Sequence, residues 1–206
     1  MFKKPDSVVS DSLLIVEGKD EVSFLDAYIF RHKGLEKSKV QIIDAGGKYS
    51  FRQDLADLKD LPGFDSVRRI AIIRDADLSA EKAFQSVSHV LRSESLPVPD
   101  RPGHFATDES GMVTVGVFVT PDNKRSGCLE SLLVDVIKSR NLRGCVDQFF
   151  KCADRSFRPK QYMLALLSLM QEYCNSIGLA AQKSYFDFSI FDRCEMGTFI
   201  DAFLQI

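Results

Sequence analysis

The sequence predicts an α/β fold, a mainly parallel four-stranded sheet flanked by helices and followed by a C-terminal helical extension. Three observations predict it. Short, continuous apolar runs recur along the first 140 residues, as in strands buried on both faces. Each run ends in a turn and is followed by apolar residues at helical spacing, the order that parallel strands joined by crossover helices produce. Beyond Gly144 the strand-like runs stop and helical spacing takes over. Residues 1–140 are therefore expected to form the α/β unit, and residues 141–206 a helical extension packed on it.

Leu13 to Val16 is the first apolar run, and Val22, Leu25 and Ile29 then suit a helix from Asp20 to about Arg31. Val40 to Ile43 reads as the second strand, Asp44-Ala45-Gly46-Gly47 as its turn, and Tyr49 to Leu61 as a helix that Pro62-Gly63 ends. Ile70 to Ile73 is the third strand. Ser79 can cap a helix running to about Ser93, because its hydroxyl can accept from an otherwise orphan N–H of the first turn. Pro97, Pro99 and Pro102 close that segment, and Phe105 to Gly111 reads as an exposed loop or an edge hairpin. Val113 to Val119 is the fourth strand, broken by Pro121-Asp122-Asn123. Leu129, Leu132, Leu133 and Val136 give the helix from Cys128 to Lys138 an inward face. In the extension, Val146 to Ala153 and Lys160 to Ile177 look helical, and no further clear strand stands out before Phe199 to Ile206.

At 206 residues and 45% hydrophobic content the chain can bury a substantial core. Its 27 Lys and Arg against 29 Asp and Glu leave a net charge of −2, so a polyanion would have to meet a local basic patch. Five cysteines, scattered with no C-x-x-C pair and no His at zinc-ligand spacing, read as reduced thiols. No apolar run of signal-peptide length follows Lys3 and Lys4, and none approaches the ~20 residues of a membrane span. The expectation is a soluble, cytoplasmic protein that does not engage a membrane.

The candidate chemistry sits where strands stop, the edge at which open α/β sheets bind ligands. Glu17, followed by Gly18, closes the first strand, and Arg74-Asp75-Ala76-Asp77 closes the third. Acids separated by one residue on extended chain point to the same side, so Asp75 and Asp77 can share a cation. With a flavodoxin-like strand order the first and third strands lie about 4.8 Å apart, bringing Glu17 to the pair. Glu21, one helical turn on, can be aimed at the same place. Gathered carboxylates repel unless a cation neutralises them, and hard oxygen donors suit Mg²⁺ or Mn²⁺.

Val16-Glu17-Gly18-Lys19-Asp20-Glu21, together with Ile73-Arg74-Asp75-Ala76-Asp77, resembles the TOPRIM domain of topoisomerases, bacterial primases and nucleases of the overcoming-lysogenization-defect type. That resemblance implies a Rossmann-like TOPRIM fold. It also implies that Glu17, Asp75 and Asp77 are catalytic and bind Mg²⁺, with Glu21 matching the second acid of the nuclease branch. The chain is also similar to small stand-alone TOPRIM-like proteins of unassigned function, sharing Asp44-Ala45-Gly46-Gly47, Pro121-Asp122-Asn123 and Gly127-x-Leu129-Glu130. The likeness covers roughly residues 12 to 138. There is no Walker lysine loop, no tyrosine-bearing topoisomerase region and no primase zinc domain, so those activities are not expected. The ATPase domain that usually accompanies the nuclease branch is not recognisable either.

Each feature also has a plainer reading. Asp75 and Asp77 could cap the helix after Leu78, and Glu21 suits a first helical turn for its charge alone. Gly46 and Gly47, beside Lys48, are either a simple turn or a phosphate cradle. Asp122 to Gly127 either satisfies a helix N-terminus or supplies outer metal ligands, Asp122 or Glu130, with Asn123, Lys124 and Arg125 near the substrate. Lys19, Lys48, Arg74, Lys124 and Arg125 all fall in strand-exit loops that could face a phosphodiester. Lys183 reads as a surface lysine, His32, His89 and His104 as ordinary residues, and Phe186, Phe188, Phe191, Phe199 and Phe203 as packing. A flavin or nucleotide site of flavodoxin type is disfavoured, since the first turn is acidic where phosphate donors would be needed. The expected function is a Mg²⁺-dependent nuclease acting on DNA or RNA. The alternative is a non-catalytic or partner-dependent module in a nucleic-acid-processing or phage-defence assembly, with a separate ATPase or protein partner and self-association left open.

Overall fold

The computed structural model describes residues 5–47, 51–154 and 156–205. Strand β1 (Ser12–Val16) leads into helix α1 (Lys19–Asp26), which continues as a π-helical turn over Ala27–His32. Strand β2 (Gln41–Asp44), helix α2 (Phe51–Lys59), strand β3 (Arg69–Asp75) and helix α3 (Ala80–Ser93) repeat the alternation. Tyr49, where α2 was expected to start, lies outside the described residues. Ser79 caps α3 as its sequence position predicts, its Oγ accepting from the Lys82 N–H at 3.3 Å.

Strand β4 (Phe105–Thr107) and strand β5 (Thr114–Thr120) form a hairpin, so the stretch read as loop or edge hairpin is the latter. The sheet consequently has five strands rather than four, in the order β2-β1-β3-β5-β4. All pairs are parallel except β4 with β5, and β1 lies beside β3, as a flavodoxin-like order requires.

Alternation along the strands sorts side chains between two cores. Leu13, Ile15, Ile70, Ile72, Val115 and Val117 turn to the face covered by α2 and α3. Leu14, Val16, Ala71, Ile73 and Phe118 turn to the other face, where Phe24 and Leu25 of α1 meet the later helices. Those are α4 (Leu129–Val136), α5 (Asn141–Cys152), α6 (Pro159–Ser168), α7 (Ile177–Gln182), α8 (Phe188–Phe191) and α9 (Glu195–Gln205). The span from Lys160 to Ile177, expected as one helix, breaks after Ser168 and restarts where Ser176 caps α7, accepting from the Leu179 N–H at 3.2 Å. The apolar stretch beginning at Phe199 belongs to α9. Residues from the extension share one apolar cluster with α1: the Phe24 ring meets Phe191 at 5.0 Å and Phe186 at 5.5 Å, both edge-on. Among the described residues no helix is long and apolar enough to cross a membrane.

Candidate metal centre at the sheet edge

Four elements deliver acids to the C-terminal edge of the parallel strands: β1, α1, β3 and α4. Asp75 is the last residue of β3 and stands in register with Thr120, the last of β5. The Thr120 hydroxyl donates to Asp75 Oδ1 at 2.6 Å, and the Leu129 N–H donates to the same oxygen at 3.0 Å. Asp75 thus caps α4, not the helix after Leu78, and among the described residues its second oxygen takes no hydrogen bond. Glu17 follows β1, and its Oε2 accepts from the Asp75 N–H at 3.2 Å while lying 3.5 Å from Arg74 Nε.

Glu21 occupies the first turn of α1. Gly18 before it is extended (φ −160°), so its smallness answers a need for room rather than for a sharp turn. A Cβ there would stand 3.1 Å from Glu21 Oε2. The fourth acid is Glu130, in the first turn of α4, 6% exposed, with Oε2 buried and taking no hydrogen bond. Its Oε1 lies 3.8 Å from Lys160 Nζ on α6.

The acids act on one another. Burial pushes the Glu21 carboxyl up to about 7, and the Asp75 and Glu130 charges add to the rise. Burial likewise raises Asp75 to about 6, with Glu17 and Glu130 adding, although the Thr120 hydrogen bond opposes the shift. The Cys128 thiol beside them is driven up to about 12, first by burial and then by its contact with Glu130. Lys160 is held above its ordinary value chiefly by Glu130, then by Asp75 and Glu21. A lysine from the extension therefore faces all three.

Other predicted residues stand differently. β3 ends at Asp75, and Asp77 is exposed at φ +49°, its backbone exchanging hydrogen bonds with Gly127 at 2.8 and 2.9 Å. The rule that alternate residues face one way holds on extended chain, and the backbone leaves that conformation at Asp77. Arg74, expected to face substrate, is buried at 8% exposure beside Glu17. The Gly46 N–H is taken by Asp44 Oδ1 at 2.8 Å, which makes the segment an Asx turn rather than an open phosphate cradle. Lys48 lies outside the described residues.

Asp122 accepts from the Lys124 and Arg125 N–H groups at 3.2 and 2.8 Å and pairs with the Arg125 side chain. Asn123 Oδ1 accepts from the Val119 N–H at 2.8 Å, and Lys124 reaches Glu195 at 3.5 Å, so this loop satisfies itself. Lys19 is exposed at the start of α1, and Lys183 pairs with Glu172.

Among the described residues, no three His, Cys, Asp or Glu side chains stand close enough to cage an ion by themselves. That does not conflict with Mg²⁺, which keeps several waters and is commonly held by one or two carboxylates with substrate phosphate. The donor set is all oxygen, and a buried carboxylate oxygen without a partner is costly until a cation meets it. Thr120 and Lys160 escaped the sequence reading. A threonine ending an otherwise apolar strand was the available signal for the first, whereas Lys160 comes from far along the chain with none. A family model described as "Protein of unknown function (DUF3226)" matches residues 11–204. No curated protein and no solved structure matches the chain.

Proposed function

We propose that this chain, which belongs to the DUF3226 family of proteins of unknown function, is a Mg²⁺-dependent phosphodiester hydrolase of TOPRIM type acting on DNA or RNA. The observation that carries the reading is the buried Glu130 oxygen without a hydrogen-bond partner, set among Glu21 and Asp75 at the sheet edge. One or two of Glu21, Asp75 and Glu130 would hold the metal directly and the rest through its waters, with Glu17 fixing the Asp75 backbone. Asp77, exposed after the end of β3, would contribute as an outer ligand through water.

Bound there, Mg²⁺ would activate water and offset charge on the phosphate. Thr120 and the Leu129 N–H hold Asp75 in one orientation, so the metal-facing oxygen is pre-positioned. Glu21, raised to about 7, can take a proton near neutral pH. Lys160 is the cation placed to receive a phosphate oxygen beside the acids. The order of Glu17, Glu21 and Asp75 along the chain, with Glu17 and Asp75 at strand exits and Glu21 opening α1, is what supports a TOPRIM relationship.

One observation favours the alternative of a module that binds metal but cleaves nothing alone: Glu17 is already engaged by Arg74, and a catalytic Glu would need to be open. Incubation of purified protein with single-stranded DNA, RNA and plasmid, in Mg²⁺, Mn²⁺ or EDTA, separates the two. Cleavage that needs the metal and falls at least about 100-fold in Asp75→Asn and Glu130→Gln supports hydrolysis. Mn²⁺ binding by calorimetry without cleavage supports the module. Cleavage that survives EDTA, or no Mn²⁺ binding at all, overturns the metal-centred reading.

A further inference from the structure

The strand-exit loops expected to meet phosphate are largely consumed by internal partners, yet a nucleic-acid hydrolase needs a surface that holds the strand. The sequence concentrates positive charge elsewhere. Between residues 138 and 160 it carries seven Lys or Arg against two Asp, a net +5 in a chain whose total is −2. This stretch builds α5 and the start of α6, and it ends at Lys160, the lysine beside Glu130.

The same stretch carries an aromatic group of unusual exposure. Phe149 is 61% and Phe157 47% exposed, the two phenylalanines among the exposed large apolar side chains of the described residues. They are not isolated side chains. Phe150 meets Phe149 edge-on at 5.2 Å and Phe157 at 5.0 Å, and Phe157 in turn meets the buried Tyr162 at 4.7 Å. Tyr162 is anchored through its hydroxyl, which donates to Asp147 Oδ1 at 2.7 Å. The outer rings are therefore braced from below and present open faces to solvent.

We propose that α5 and the entry to α6 are a binding surface for single-stranded nucleic acid, with Phe149 and Phe157 stacking on unpaired bases and Lys151 and Arg158 contacting phosphates. Lys151 and Arg158 are both exposed, and along the chain Lys151 falls between the two phenylalanines and Arg158 directly follows the second, so cations and exposed rings alternate in sequence, the combination that sequence-tolerant single-strand binders use. Duplex would offer phosphates but no open base faces, and an apolar partner protein would gain nothing from the net positive charge. Phe157 lies three residues before Lys160, a chain distance of at most about 11 Å, so a strand held there leads to the acids. The inference rests on the hydrolase reading for its purpose, though binding can be measured apart from it.

The test is fluorescence anisotropy of a labelled oligodeoxythymidylate and of a duplex of equal length, in EDTA so that nothing is cut. Tighter binding of the single strand is expected. Phe149→Leu and Phe157→Leu, which keep bulk and remove the flat face, should each weaken it at least about fivefold. Lys151→Gln with Arg158→Gln should flatten the dependence of log affinity on log salt by about 0.7 per lost contact. Melting temperatures near wild type would show that the exposed substitutions leave the fold intact. Equal affinity in the Leu variants, preference for duplex, or a change in self-association with binding untouched would each overturn the surface. Wild-type protein that binds strand but never cleaves in Mg²⁺ would remove the hydrolase reading alone. Cleavage and binding that both persist in the Leu variants would remove the surface alone.

Discussion

A carboxylate withdrawn from water tends to keep its proton, and at the sheet edge Glu21 and Asp75 are withdrawn together beside Glu17 and Glu130. Their raised values make a stability statement with a definite sign. Between the ordinary values of 4.5 and 3.8 and the folded values of about 7 and about 6, the folded chain binds more protons than the unfolded one. Stability is therefore highest below about pH 4 as far as these groups are concerned, and is lost as pH rises through about 6 and 7. The loss should be roughly 2–4 kcal/mol, allowing for coupling between the two acids. Thermal melts in EDTA should show the melting temperature falling over that window, Glu21→Gln flattening the fall, and Mg²⁺ restoring stability at pH 8 more than at pH 5. A flat profile in EDTA would mean the carboxylates do not crowd one another. At this scale much of the site was legible: Glu17, Glu21 and Asp75 announce themselves by ending strands or opening a helix. Glu130 was legible only as an outer ligand. Its burial depends on α4 docking against the end of β3, a contact between residues 54 apart at Asp75 and Leu129.

Elements position those residues by close approach, and α1, which carries Glu21, has such a contact with α7. A Cβ on Gly178 would stand 2.3 Å from the Ser23 Cβ, so α7 can lie against α1 only because that position is glycine. Gly178→Ala should push the two helices apart at a cost of about 1–3 kcal/mol, a drop of roughly 2–8 °C in melting temperature. Because α1 carries Glu21, Mn²⁺ affinity measured by calorimetry should weaken with it. In a Ser23→Gly background the same substitution should cost less, and a double-mutant cycle with no coupling would show that the contact is not the cause. The strands were legible as apolar runs because burial on both faces leaves no room for polar residues. The short β4, half exposed at Phe105-Ala106-Thr107, carried no such run and was readable only as one of two options. The break after Ser168 was hidden because Met170 and Cys174 stay buried across it, continuing an apolar pattern that the helix itself does not follow.

At the scale of the molecule, the helices after residue 140 complete one of the two cores. Phe24, Leu25 and Phe118 have no measurable exposure, and their cover comes from Phe186, Phe191, Phe199 and other residues of the extension. At about 25 cal/mol per Å², uncovering three such side chains costs several kcal/mol, a large share of the 5–15 kcal/mol that ordinarily holds a domain together. The bond from the Tyr28 hydroxyl to Asp192 Oδ1 at 2.7 Å, and the pairing of Lys33 with Asp192 and Asp201 at 3.0 and 2.6 Å, tie the end of the first helical segment to the same region. A chain stopped at residue 140 would also lose Lys160 and leave Glu130 without its counter-charge. The full chain is therefore expected to unfold in urea as one transition seen alike by near- and far-ultraviolet circular dichroism. The 1–140 fragment should retain helical signal while losing fixed aromatic packing, and should bind a hydrophobic dye. A fragment with a sharp melt and native-like near-ultraviolet signal would instead make residues 1–140 an independent domain, with the sheet-edge acids able to assemble without the extension that supplies their lysine.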